Sequence, residues 1–190
     1  MKIQPDYSAF AAAYAQGKAQ VAWTNLVADL ETPVSAFLKL GEGRPNSFLL
    51  ESVEGGSVRG RYSFIGLKPD LVWRCFGDRA EINRAPDVRP EGFERCAEGA
   101  IASLRALERE SRIDLPPGLP PMAAGLVGYL AYDFVRLVEK IPERASDVLK
   151  IPDSVFVRPT VMIVFDRLTE KASVIAPVRP VAGVDAGQAR

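Results

Sequence analysis

Histidine is absent from these 190 residues, and cysteine and tryptophan each occur only twice. The commonest general base and metal ligand is therefore missing. No H-E-x-x-H, no G-x-S-x-G and no aspartate-rich metal loop replaces it. Cys75 and Cys96 show neither a metal-ligand nor a redox spacing, and both read as structural thiols rather than a disulfide. An excess of either charge is also lacking. Lys plus Arg and Asp plus Glu both number 24, which argues against nucleic acid or an anionic membrane as partner. The opening Met1-Lys2-Ile3-Gln4-Pro5-Asp6 has no apolar signal-peptide core, and no window approaches the length of a membrane span. A cytoplasmic location is the expectation. Gly125-Leu126-Val127-Gly128 is not G-x-G-x-x-G, and G-K-[ST] is absent, so these glycines point to close backbone packing rather than phosphate binding.

What is present is the composition of an ordinary globular chain, 47% hydrophobic and 25% charged, able to bury a substantial core as one large domain over 1–190. Residues 6–16 predict a short helix capped by Asp6 and ended by Gly17. Val21–Val27 predicts a strand. Pro33 opens a second helix whose apolar face would be Val34, Phe37 and Leu38, with Gly41 as its stop. Leu71–Phe76 and Ala80–Ile82 predict a strand pair about a Gly77-Asp78 turn. Apolar residues at Phe93, Cys96, Ala97, Ala100, Ile101, Leu104 and Leu107 trace one helical face over 93–111. The proline-rich Leu115–Pro121 reads as a stiff connector within the domain. Gly125–Leu130 predicts a strand, with Tyr129 and Tyr132 placed in the core and Asp133 as a cap. After a charged loop over Pro142–Ile151, Val155–Phe165 and Ala172–Ala176 form a final hairpin, and the chain is expected to fray beyond Pro177. The fold class is α+β: largely antiparallel sheet, arranged as one or two packed sheets, with flanking helices.

The most unusual stretch is Ser47–Gly66. Phe48–Val53 is apolar enough for a buried strand, yet carries Glu51 and Ser52 before a Glu54-Gly55-Gly56 turn signal; Arg61–Ile65 is a second strand-like run. A carboxylate drawn partly out of water requires a cationic or hydrogen-bonding partner. Two partners fit Glu51. One is internal, Arg59 or Arg61 across the hairpin; the other is the ammonium of an amino-acid ligand whose carboxylate meets Ser52, Ser63 or nearby backbone N–H groups.

Leu49-Leu50-Glu51-Ser52, followed by Gly60-Arg61-Tyr62-Ser63-Phe64-Ile65-Gly66, resembles the amino-terminal part of the large component of anthranilate synthase. Ala28–Phe37, Gly125–Asp133 and Val161–Asp166 agree with it, in order and spacing, over nearly the whole chain. The resemblance implies a portion of an enzyme that converts chorismate and glutamine or ammonia to anthranilate and pyruvate, at the start of tryptophan biosynthesis. It implies a feedback site for L-tryptophan at Leu50, Glu51 and Ser52, with Arg61, Tyr62 and Ser63 as further candidates. Catalytic residues, the Mg²⁺ that chelates chorismate, and the other wall of the tryptophan pocket are implied to lie in a carboxyl-terminal portion that these residues do not include. A glutamine amidotransferase subunit is the implied partner. No catalytic residue and no cofactor are therefore expected in these 190 residues, and self-association through apolar edges is. Aminodeoxychorismate synthase shares the fold and some of the motifs. A stand-alone amino-acid-binding module and an interaction scaffold in which Glu51 merely pairs with Arg61 are the non-enzymatic alternatives.

Overall fold

The computed structural model describes residues 2–51, 60–120, 122–142 and 146–190. The elements in chain order are α1 (Tyr7–Ala15), β1 (Gln20–Val27), α2 (Pro33–Leu40), β2 (Phe48–Leu50), β3 (Tyr62–Phe76), β4 (Arg79–Asn83), β5 (Glu94–Arg95), α3 (Ala100–Ser111), β6 (Val127–Leu130), a 3₁₀ turn (Tyr132–Leu137), β7 (Ser154–Asp166), β8 (Lys171–Val178) and α4 (Ala186–Ala189). The largely antiparallel α+β arrangement is found. Its strands join in a single eight-stranded sheet, ordered β1-β8-β7-β3-β4-β5 with β2 on β3 and β6 on β7.

The chain packs as two compact units, one of Met1–Lys68, Ile113–Gly125 and Pro159–Arg190, the other of Pro69–Arg112 and Leu126–Arg158. The long strands β3 and β7 pass from one unit to the other at Lys68–Pro69 and Arg158–Pro159. Proline has no N–H for the ladder, so both strands lose a donor at the crossing. The sequence suggested two separate strands here, Arg61–Ile65 and Leu71–Phe76. The structure instead continues β3 through Lys68 at φ 48°, and Thr160 Oγ1 donates to the Lys68 carbonyl at 2.6 Å.

In the first unit the sheet is covered on both faces, which explains the nearly unbroken apolar run along β3. Phe64, Met162, Val164, Val21 and Ile175 point to one side, where Ile113 and, from the proline-rich segment, Leu115 and Leu119 pack on them. That segment is thus a lid on the core rather than a bare connector. Ile65, Leu67, Ile163 and Phe165 point to the other side and meet Ala36 and Phe37 of α2. Helix α2 has the expected start: Thr32 and Ser35 form a capping box, and Pro33 sits in the first turn. Of the expected apolar face, Phe37 turns inward together with Ala36, while Val34 and Leu38 face water. A two-turn helix lies close to a sheet through its small residue, and here that residue is Ala36.

Asp6 caps α1 by accepting from Ala9 N at 2.9 Å, as expected. Phe10 and Tyr14 of α1 pack with Ala22. The carboxyl-terminal residues do not fray. Asp185 caps α4, Tyr14 Oη accepts from Val181 N at 3.2 Å, and Arg190 donates to the carbonyls of Ile3 and Pro5 at 3.2 and 2.6 Å. The aromatic face of α1 gives the guanidinium a second attachment, with Arg190 Cζ 5.7 Å from the centre of the Phe10 ring.

The second unit is built around Trp73, wholly buried, whose Nε1 donates to Ser103 Oγ at 3.1 Å. Leu71, Cys75, Ala80, Ala100 and Leu107 complete this core. Cys75 and Cys96 are both free, and burial pushes the Cys75 thiol up to about 11, in keeping with a structural role. Helix α3 begins at Ala100 rather than Phe93. Residues before it are drawn to the sheet: Glu94–Arg95 form β5, Cys96 N donates to Ala80 O at 2.9 Å, and the Arg74 guanidinium lies 3.6 Å from the centre of the Phe93 ring. In β6, Gly128 answers the question raised by the glycine-punctuated run. A Cβ there would stand 1.9 Å from the Val155 carbonyl oxygen, so the requirement is close packing of two backbones. Tyr129 and Tyr132 are 43% and 82% exposed, not core. The Tyr129 hydroxyl donates to the Pro152 carbonyl at 2.9 Å. Asp133 lies inside the 3₁₀ turn and pairs with Arg136 at 2.7 Å instead of capping, because Ala131 holds the cap position.

Candidate functional site

The residues singled out by sequence meet in the first unit where β2 lies against the start of β3. The register pairs Phe48 with Gly66, Leu49 with Ile65 and Leu50 with Phe64. Gly66 leaves room for the Phe48 ring that crosses it, since a Cβ would fall 2.2 Å from that ring and force it to shift. Alternation along β3 then places Tyr62 and Phe64 on the face shared with Leu50, and Ser63 on the opposite face.

That face forms an apolar ledge. Leu50 is 42% exposed, Tyr62 is half-buried, and the Tyr62 and Phe64 ring centres are 6.2 Å apart. Glu51 follows at the exposed end of β2. Ser52 and Arg59 lie outside the described residues. Ser63 is only 1% exposed, so its hydroxyl faces the interior rather than the ledge.

Arg61 is committed elsewhere. Its Nε and a terminal nitrogen donate to the two carboxylate oxygens of Asp166 at 2.8 and 2.6 Å, a bidentate fork. Its Cζ lies 4.8 Å from the centre of the Tyr62 ring. The Arg61 carbonyl accepts from Arg167 N at 3.1 Å, and Asp166 also accepts from Leu168 N at 3.1 Å. The Arg61 guanidinium holds the Asp166 carboxyl down at about 2, against a smaller opposing effect of burial. An internal Glu51–Arg61 pair is therefore replaced by Arg61–Asp166. Sequence reasoning passed over Asp166, although it closes the Val161–Asp166 stretch and opens the β7–β8 turn. A strand-end aspartate before a polar turn was the only signal available.

Chemically, the site offers an apolar shelf for a flat ring and an exposed carboxylate able to accept from a cation. Among the described residues, no group of three or more histidine, cysteine, aspartate or glutamate side chains is placed to hold a metal ion. No helix among them is long and apolar enough to cross a membrane.

No family model matches the chain. Curated relatives do. Anthranilate synthase component 1 of Cereibacter sphaeroides is 45% identical over 180 residues, covering 95% of this chain and 36% of the relative. The protein of the same name from Thermus thermophilus is 41% identical over 153 residues, covering 80% and 31%. That from Mycobacterium tuberculosis is 38% identical over 154 residues, covering 80% and 29%. A solved structure of anthranilate synthase component I from Streptococcus pneumoniae aligns with a TM-score of 0.49 and 20% identity, over 83% of this chain and 31% of that one. The chain spans about a third of the length of the curated relatives it matches. Over nearly its whole length, it is homologous to anthranilate synthase component 1.

Proposed function

We propose that this chain is the amino-terminal, regulatory part of an anthranilate synthase large component and that it carries the L-tryptophan feedback site. The observation supporting this most strongly is the 45% identity over 180 residues to a protein of that name. The ledge supplies a physical reason for the location. An indole ring would rest on Leu50 and Tyr62, and Glu51 would accept a charge-assisted hydrogen bond from the ammonium group. Ser52 lies next in the chain to meet the ligand's polar groups. Arg61 and Ser63 would shape the site rather than line it.

Chorismate binding, Mg²⁺ and the acid–base groups for amination and pyruvate elimination are assigned to the remainder of the complete protein. The described residues offer no carboxylate cluster to hold the metal. The glutamine amidotransferase subunit is the proposed partner of that complete protein, and the cytoplasm its proposed location. Tryptophan would act by favouring a conformation less competent for substrate, a reciprocal coupling of about 1–3 kcal/mol.

The test uses the complete protein. Ser52→Phe fills the site and Glu51→Ala removes the ammonium acceptor, so each should raise the tryptophan concentration for half inhibition about tenfold or more, equivalent to about 1.4 kcal/mol. Product analysis of the same preparation should give anthranilate. Unchanged tryptophan sensitivity in both variants would remove these residues from the site, and an aminodeoxychorismate product would reassign the enzyme.

A further inference from the structure

We infer that Asp166 is a positioning residue for the tryptophan site, acting through Arg61; the inference rests on the regulatory reading above. Arg61 stands directly before Tyr62, the residue that gives the ledge its ring. Arg61 is already held at three points, though two of its five guanidinium donors suffice for the fork. Two donors are spent on the Asp166 carboxylate at 2.8 and 2.6 Å, the guanidinium lies 4.8 Å from the centre of the Tyr62 ring, and the backbone carbonyl accepts from Arg167 N. Asp166 is itself fixed by Leu168 N at 3.1 Å. The pair spans 105 residues of sequence and ties the entry of β3 to the β7–β8 turn. It forms a latch that sets where Tyr62 stands relative to Leu50.

A direct role for Arg61 predicts the opposite sign. If Arg61 met the ligand's carboxylate, Asp166 would compete with that carboxylate, and Asp166→Asn would tighten tryptophan binding. If Asp166 is a latch, Asp166→Asn releases the fork and lets Arg61 and Tyr62 move, weakening binding. Lysine cannot reproduce the planar two-donor fork, so Arg61→Lys should act in the same direction despite keeping the charge. Asp166→Glu, which keeps the acceptor pair, should recover part of the loss.

The experiment is tryptophan inhibition of the complete protein, each variant measured against its own uninhibited rate. Asp166→Asn and Arg61→Lys should raise the half-inhibitory concentration about tenfold, equivalent to about 1.4 kcal/mol, with Asp166→Glu between them and the parent. An unchanged or lowered value in Asp166→Asn overturns the latch. Should Asp166→Asn fail to fold, Asp166→Glu decides: a raised value keeps the latch, and an unchanged or lowered one overturns it. Relief by Glu51→Ala and Ser52→Phe without any effect of Asp166→Asn defeats the latch alone, whereas no relief in any of them defeats the tryptophan reading and the latch together.

Discussion

Glu110 shows how firmly two arginines can hold one exposed carboxylate. Arg84 forks onto it at 2.7 and 2.7 Å, and buried Arg158 donates to it at 2.9 Å while also forking onto Asp70 at 2.7 and 3.0 Å. The Arg84 fork is the larger reason that Glu110 is held at about 2, Arg158 the second, and burial opposes both. An unfolded glutamate titrates near 4.3. A depressed carboxylate stabilises the fold fully above its unfolded pKa and loses that contribution as pH falls toward the folded value. Stability should therefore be level from neutral pH to about 5 and decline between about 4 and 2. Asp166, also held at about 2, titrates in the same window. Urea midpoints across this range should fall less steeply in Glu110→Gln than in the parent; parallel curves would show that Glu110 is not a source of the acid limb. At this scale, local pattern and distant pairing part company. The Leu50-Glu51-Ser52 motif could be singled out because it is contiguous and carries the resemblance. Asp166 could not be, because its partner is 105 residues away and a strand-end aspartate before a polar turn does not name it.

Helix α3 makes the same point for an element. Its apolar spacing was legible, and Ala100, Leu104 and Leu107 do face the core. Its start was not. Gly99 has no side chain to cap with, and the Asp78 carboxylate, 22 residues upstream at the β3–β4 turn, accepts from Ala100 N at 2.8 Å. Phe93 fits a helical period equally well whether it lies in a helix or beneath Arg74, so periodicity alone cannot choose. Asp78→Ala should cost about 1 kcal/mol, the usual worth of an N-cap, measured by denaturant unfolding. Adding Gly99→Ser should restore part of it, since the atoms a Cβ at residue 99 would meet all belong to the Asp78 carboxyl group that the alanine removes, and the cap backbone at φ −63° suits serine. A stability unchanged by Asp78→Ala would show that water caps this helix as well. The strands were the most legible elements, because alternation and turn residues are local. Their assembly into one sheet, with β3 unbroken through Pro69, depends on partners the sequence does not display.

At the scale of the molecule, the chain matches only about a third of the length of its relatives, and it presents large apolar side chains to water. Leu30, Val148, Leu149 and Tyr132 are 92%, 80%, 76% and 82% exposed. Strand β6 pairs only with β7 among the described residues, and Tyr129 and Leu130 on it are exposed. An edge of this kind is a site for further strand pairing. Sedimentation velocity of the 190-residue chain should show a weight-average coefficient that rises with concentration; one that stays at the monomer value throughout would exclude association. The contacts made by Arg190 have another consequence. Its guanidinium reaches the carbonyls of Ile3 and Pro5, so the last residue lies beside the first few. A short flexible linker can therefore join them, and a circular permutant would keep the β1–β8 ladder while placing new ends elsewhere.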